Sequence, residues 1–171
     1  MSFFQKLFGE TKQRETVAPL YRAVVERGRD PHWYREGQVP DTVDGRFDMI
    51  AAILALVLIR LEAEGDTGRA PSVLLTELFV DDMDASLRQI GIGDYVVGKH
   101  VGRMMSALGG RLTAFRIAAA SGAFEEAVRR NIFHEAPPSD EALAQVTAGL
   151  SAFAGALPAM PAEAVLAGKL P

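Results

Sequence analysis

One uninterrupted apolar run constrains the fold of this chain more than any other feature of its sequence. Residues 49–59 (MIAAILALVLI) are all apolar, and the run ends at Arg60. A helix over this run has no polar face, so it must either lie at the centre of a helical body or contact lipid. Crossing a bilayer takes about 20 apolar residues, and this run is far shorter. We therefore predict a buried core helix and no transmembrane span.

Composition and charge exclude several classes of protein. Hydrophobic residues make up 49% of the 171 residues, which is ordinary for one globular domain and too high for a disordered chain. The net charge of −4 argues against a general affinity for nucleic acid. The chain contains no cysteine, which excludes disulfide bonds, thiolate metal sites and cysteine nucleophiles. This composition suits the reducing cytoplasm, where we expect the protein to work.

The sequence contains no recognised catalytic motif. Its three histidines, His32, His100 and His134, are too scattered for a known metal-binding spacing. No glycine-rich phosphate loop follows a strand, and neither GxSxG nor HExxH occurs. We predict that the protein is not an enzyme and that it has no metal or cofactor.

Helical periodicity runs through most of the chain, and no alternating strand pattern appears. Proline, glycine and capping residues divide the chain into segments, with a polar link at 66–70. The predicted helices or helical turns span 15–28, 30–37, 42–65, 71–90, 95–121, 123–134, 139–156 and 162–167. We predict an all-α, single-domain bundle of about seven helices around the central apolar helix.

The first fourteen residues form a separate amphipathic segment in this interpretation, ahead of a helical domain at 15–171. Phe3, Phe4, Leu7 and Phe8 fall on one side of a short helix, with basic residues nearby. A basic helix with an aromatic face can rest at a membrane interface, which makes these four residues candidate membrane contacts. Short amphipathic segments also fold back onto their own core, and both interpretations stay open.

In the predicted helix at 71–90, one carboxylate lies at the edge of the apolar face instead of on the polar face. Its apolar face gathers Leu75, Phe79, Met83, Leu87 and Ile90. Asp82 falls at the edge of that face, where burying an unpaired carboxylate is costly. One explanation is a structural ion pair with a basic residue of another helix. The other is a polar contact for a bound partner. The candidate basic residues are Arg46, Lys99, Arg103 and Arg111.

Small residues recur every four positions along the predicted helix at 95–121. They are Gly98, Gly102, Ser106, Gly110, Ala114 and Ala118. Glycine inside a helix costs about 1 kcal/mol relative to alanine, so we expect close backbone approach to compensate. The stripe can pack internally against the central helix, or it can form a shallow groove that receives a helix of another protein. Basic residues on this helix lack interleaved aromatic residues, so no specific nucleic-acid partner is predicted.

Several segments together resemble one known family. They are 40–50 (PDTVDGRFDMI), 56–65 (LVLIRLEAEG), 78–105 (LFVDDMDASLRQIGIGDYVVGKHVGRMM) and the closing 164–171 (AVLAGKLP). In combination these segments look like the ubiquinol–cytochrome c chaperone family, the assembly factors of ubiquinol–cytochrome c reductase, or respiratory complex III. The resemblance covers roughly residues 17–170.

This resemblance implies an all-helical, non-enzymatic chaperone that binds newly made cytochrome b. In mitochondrial members it also implies a second small assembly factor near the ribosome. The chain begins without a mitochondrial targeting extension, so we expect a bacterial member, cytoplasmic or peripheral on the inner face of the membrane. Positions matching the family motifs are candidate partner contacts, and the small-residue stripe adds two glycines. These residues are Phe79, Asp82, Tyr95, Gly98, Lys99, Gly102 and Arg103.

Two other functions stay open at this point. A small-molecule or lipid-binding helical carrier would have a cavity between the central helix and the long helix, lined by Ile53, Leu56 and Met105. A filled core with an exposed apolar groove would instead favour the chaperone. A regulatory protein-interaction domain is the third possibility.

Overall fold

Helices and short connections make up the described chain. The computed structural model describes residues 3–89, 94–134 and 137–171, with side chains at 14–89, 98–99, 101–134 and 137–171. Within these residues there are eight α-helices, one short 3-10 helix and no strand, which confirms the predicted fold class. The helices are α1 (Phe3–Gly28), α2 (Pro31–Arg35), α3 (Val43–Glu62), α4 (Asp66–Gln89), α5 (Asp94–Ser121), α6 (Phe124–Asn131), α7 (Asp140–Ala156), the 3-10 helix Leu157–Ala159, and α8 (Ala162–Leu166).

Helix α3 is the centre of the bundle, as the apolar run predicts. Residues 47–58 are all buried, and α1, α4 and α5 pack around them. Thr42 caps the start of the helix, because its side-chain oxygen accepts a hydrogen bond of 3.1 Å from the Gly45 N–H. Full burial of one large aliphatic side chain contributes about 1.5–3 kcal/mol, so α3 is the main source of stability.

The remaining helices complete the bundle around this centre. Helix α6 contacts α5 and α7, and α8 packs on α1. The short helix α2 joins the end of α1 to α7 through Trp33, which is fully buried. The Trp33 indole N–H donates to the Arg27 carbonyl at 2.8 Å, and its ring lies over Gly149 of α7. A Cβ at position 149 would lie 2.7 Å from that ring, so this close approach requires glycine.

Two helix starts differ from the sequence prediction. Helix α1 begins at Phe3, so the predicted segment boundary between 14 and 15 lies inside one helix, and Pro19 also lies inside it. A proline removes one backbone donor and crowds the preceding turn, but the helix can continue on both sides of it. The predicted polar link at 66–70 is wrong, because these residues form the first turns of α4. Asp66 suits that position because a carboxylate favours the positive end of the helix dipole.

One described stretch resembles a membrane span in length and composition. Asp140–Ala159 has a mean hydropathy of 1.3 over a 20-residue length and comprises α7 and the 3-10 helix. Of its apolar window 33% is buried inside the bundle, including Val146, Leu150 and Phe153. Core helices of folded domains pass the same test, so the stretch is weak evidence for a span.

Candidate functional site: the outer face of α5

Helix α5 has one buried side and one open side. Its buried side consists of Leu108, Arg111, Phe115 and Ala118. On the open side, Gly98, Gly102, Gly109 and Gly110 are exposed, and a Cβ built on any of them meets no described atom within 4 Å. We call these four glycines the glycine face.

The structure divides the small-residue stripe into two parts. Ala118 is buried and Ala114 packs against the core, as the internal-packing explanation predicts. Gly98, Gly102 and Gly110 instead lie on open surface, so internal packing does not explain them. An exposed glycine inside a helix costs about 1 kcal/mol relative to alanine. The glycine face therefore carries a stability cost that no described internal contact offsets.

Two basic residues lie beside the glycine face. Gly98 and Gly102 are one helical turn apart, and Lys99 and Arg103 occupy the next position in each turn. Both basic residues are exposed. A surface without side chains lets another helix approach closely, and the adjacent cations can contact polar groups at the edge of such a helix.

For the other predicted contact residues on α5 and α1, the described structure includes the backbone only. Tyr95 belongs to α5, but its side chain lies outside the described residues. The side chains of the candidate membrane residues Phe3, Phe4, Leu7 and Phe8 also lie outside the described residues, although their backbone belongs to α1. Their predicted roles stay predictions.

Phe79 is a core residue in this structure. Its side chain is fully buried, and its ring centroid lies 5.7 Å from that of Phe47. A buried side chain offers no surface to a partner, which argues against the predicted direct contact at Phe79. The family motif at this position is explained by packing between α3 and α4.

Asp82 has a partner that charge reasoning did not suggest. The Tyr21 hydroxyl of α1 donates a hydrogen bond of 2.6 Å to Asp82 Oδ2. Burial, together with this bond to a carboxylate, raises the pKa of Tyr21 well above its usual value, so the phenol remains a donor. Two of the four basic residues proposed from sequence pair elsewhere, Arg46 with Asp41 and Arg111 with Asp48. The structural explanation of Asp82 is therefore favoured, with a tyrosine in place of the expected cation.

A buried charged network was missed by the sequence reasoning. Asp48 of α3 and Arg111 of α5 are 4% and 5% exposed and form a direct ion pair. Arg111 Nη2 also donates to the Asn131 carbonyl at 3.0 Å, and His134 Nε2 lies 2.9 Å from Asp48 Oδ2. Asp48 directly precedes the apolar run, and that position is the sequence signal for a buried, paired carboxylate.

Desolvation dominates the energetics of this network. Burial raises the pKa of Asp48, although Arg111 and His134 oppose the shift. Burial likewise lowers the pKa of Arg111 against the attraction of Asp48. Both pKa shifts favour the neutral form, so the cost of desolvating the two charges outweighs their attraction for each other. The network therefore contributes to the mutual orientation of α3, α5 and the end of α6, and removing one partner would leave a buried charge unpaired.

None of the five cavities found among the described residues is lined by all three residues expected for a carrier. Ile53 is fully buried, and the cavity next to Leu56, of about 340 Å³, is lined by Ile59, Ala119 and Leu157 instead of Ile53 and Met105. In the described part of the chain, no group of three or more His, Asp or Glu side chains is placed to hold a metal ion.

Comparison with known proteins assigns the family. The family model described as ubiquinol-cytochrome C chaperone matches residues 35–170. This chain belongs to the ubiquinol–cytochrome c chaperone family. The crystal structure of the Cbp3 homolog from Brucella abortus is similar, with a TM-score of 0.80 and 28% sequence identity. That match covers 99% of this chain and 95% of the Brucella protein. No curated protein matches this chain significantly.

Family membership confirms the resemblance that was inferred from sequence motifs. It supports a chaperone role in the assembly of respiratory complex III and implies that the protein binds a client. It also favours a protein that is not an enzyme.

Proposed function

We propose that this protein binds newly made cytochrome b and holds it during assembly of ubiquinol–cytochrome c reductase, without catalysing a reaction. The observation that carries the proposal is the family match over residues 35–170. The similarity of the whole fold to the Brucella Cbp3 homolog supports it. Cytochrome b is an apolar membrane protein, so before assembly its helices need contacts that replace lipid.

The glycine face is our proposed docking surface for one apolar helix of cytochrome b. Gly98 and Gly102 are four residues apart and Gly110 follows eight residues later, and a Cβ on any of the three would have no described atom within 4 Å. Small residues at this spacing let two helices approach closely and gain van der Waals contact, as they do in membranes. Lys99 and Arg103 are exposed beside the face, and we expect them to contact the polar end of the client helix.

We further propose a peripheral position on the inner face of the membrane. The sequence of the α1 start supports this position, because Phe3, Phe4, Leu7 and Phe8 share one side of a helix. Flotation with liposomes tests it by comparing the full chain with a chain that starts at Thr11. We expect flotation of the full chain only, and equal flotation of both would contradict a membrane role for these residues.

Deletion of the gene in its host tests the proposed function. We expect lower levels of cytochrome b and lower complex III activity, both restored by the wild-type gene. Unchanged cytochrome b and complex III activity after deletion would overturn the assembly role.

Complementation with leucine variants tests the docking surface. Gly102→Leu adds a large side chain to the glycine face, and we expect it to restore less cytochrome b at an equal level of chaperone. Gly155→Leu on α7 is the matched control, because a Cβ there also meets no described atom within 4 Å. Full restoration by Gly102→Leu would place the client elsewhere without affecting the assembly role.

A further inference from the structure

Three arginines line one cavity where the end of α1, α2 and the start of α3 meet. The cavity has a volume of about 360 Å³, within the usual range for ligand sites, and its lining includes Arg29, Arg35 and Arg46. Asp41 is the one acidic residue in this lining, and it pairs with Arg46 at 2.6 Å. The lining therefore carries more positive than negative charge. We call it the arginine pocket.

Two of these arginines have no partner of their own. Within the part of the chain that the structure describes, the side chains of Arg29 and Arg35 make no hydrogen bond or ion pair, although Arg29 also lines a neighbouring cavity with Glu26, Asp81 and Asp82. Many other arginines pair directly with a carboxylate, for example Arg88 with Asp84 and Arg116 with Glu62. The grouping is notable because the chain as a whole has a net charge of −4. Neighbouring like charges repel, and a bound anion would relieve that repulsion.

Tyr34 adds no negative charge to the pocket. Its hydroxyl donates to the Gly28 carbonyl at 2.7 Å, and burial raises the pKa of Tyr34 to about 12. Arg46 and Arg29 oppose this shift, which indicates that both cations lie near the phenol. The phenol is neutral at physiological pH, so Tyr34 contributes no negative charge that would offset the positive charge of the arginines.

An apolar cleft adjoins the arginine pocket. Arg29 and Arg46 also line a second cavity, of about 200 Å³, so the two cavities share a wall. Most of the other residues in the second lining are apolar: Val43, Phe47, Ile50, Met83, Leu87 and Met104. Val43 is 51% exposed, which leaves the mouth of this cleft open to solvent. An inorganic anion would use the first cavity alone, whereas an amphiphile would occupy both.

We propose that the arginine pocket binds the phosphate group of an anionic phospholipid, with the first part of an acyl chain in the adjoining cleft. Arginine is the preferred side chain for phosphate because its planar donors bond two oxygens at once. The apolar cleft distinguishes a lipid from a free phosphate ion. The proposal is independent of the cytochrome b proposal, because it concerns different residues and another ligand.

Calorimetric titration of the full chain tests this site with soluble, short-chain lipids. The ligands are monomeric dihexanoyl phosphatidic acid, monomeric dihexanoyl phosphatidylcholine and inorganic phosphate, at constant ionic strength. Working with lipid monomers avoids any contribution from a membrane surface. We expect phosphatidic acid to bind at least about tenfold more tightly than either of the others.

Paired variants separate a specific site from general charge. Arg29→Gln with Arg35→Gln should weaken phosphatidic acid binding about tenfold, because it removes the two unpaired cations. Arg129→Gln with Arg130→Gln on α6 makes the same change in net charge at exposed residues outside the pocket and should leave the affinity unchanged. Equal weakening by both pairs would overturn the proposal in favour of non-specific attraction.

The apolar cleft has its own test. Val43→Gln, at an exposed position, should weaken phosphatidic acid binding about threefold and leave phosphate binding unchanged. If inorganic phosphate binds wild-type protein as tightly as phosphatidic acid, the ligand is a free anion and the lipid assignment is wrong. If neither ligand binds, the site itself is wrong.

Discussion

Helices α3 and α5 are both long and rich in small or apolar residues, yet the bundle surrounds only one of them. Residues 47–58 of α3 are buried without interruption. Helix α5 buries one side and leaves the glycine face and Ile117 exposed. Burial around α3 supplies the stability of the fold. The open side of α5 lowers stability and leaves a surface for a partner. Helix α3 therefore stabilises the fold, and α5 offers the surface for binding.

The two ion pairs that join these helices show the same difference. Asp48 and Arg111 pair in the buried interior, whereas Glu62 and Arg116 pair on the surface at 2.8 Å. Each pair joins α3 to α5, but only the buried pair is shielded from water and bonded to further groups, the Asn131 carbonyl and His134. Comparing the two pairs therefore tests how much the buried network contributes beyond a surface contact.

Removing the buried ion pair should destabilise the fold more than any other single substitution considered for these helices. Asp48→Ala leaves Arg111 buried without its carboxylate, and we expect the free energy of unfolding to fall by about 3–5 kcal/mol. Glu62→Ala breaks the exposed pair and should cost less than about 1 kcal/mol. Urea unfolding of the variants measures both. Losses of similar size would contradict the assignment of these pairs to different environments.

Truncation of isoleucine on each helix should give the next largest difference. Ile53→Ala on α3 creates a cavity in the core and should cost about 2–5 kcal/mol. Ile117 on α5 is 62% exposed, so Ile117→Ala should change the free energy of unfolding by less than about 0.5 kcal/mol. The same urea experiment applies. A large loss at Ile117 would show that the outer face of α5 is covered in solution.

Alanine at two helical glycines should act in opposite directions. Gly149→Ala places a methyl group 2.7 Å from the Trp33 ring and should destabilise the fold by about 1–3 kcal/mol. Gly102→Ala places it in open space and should stabilise by about 1 kcal/mol, because alanine favours the helix. Thermal unfolding measures the sign of each change. A destabilised Gly102→Ala variant would mean that the glycine face has a structural role.

Local patterns in the sequence predicted much of the fold. The apolar run located α3, and proline and capping residues located α7 at 139–156, where the Ser139 side chain caps the helix by accepting from the Ala142 N–H at 3.2 Å. These features depend on neighbours along the chain. The start of α1 at Phe3 does not follow from local rules, because proline is usual only in the first turn of a helix and Pro19 therefore favours a start near residue 15.

The sequence does not show which distant residues pair, or which face of a helix is covered by its neighbours. The Tyr21–Asp82 hydrogen bond joins residues that are 61 positions apart, and Asp48 and Arg111 are 63 apart. Periodicity shows that Gly98 and Gly102 share a face, but only the packed bundle shows which neighbour, if any, covers that face. The family resemblance came from motifs, and the placement of Phe79 in the core required the structure.

Site-specific photo-crosslinking in the host shows which helix contacts cytochrome b. A photoreactive residue at Ser106, exposed beside the glycine face, is compared with one at Ser151, exposed on α7. During synthesis of cytochrome b, the account predicts a crosslink to cytochrome b from position 106 and none from position 151. Equal crosslinking from both positions, or crosslinking from position 151 alone, would contradict the division between a structural α3 and a client-binding α5.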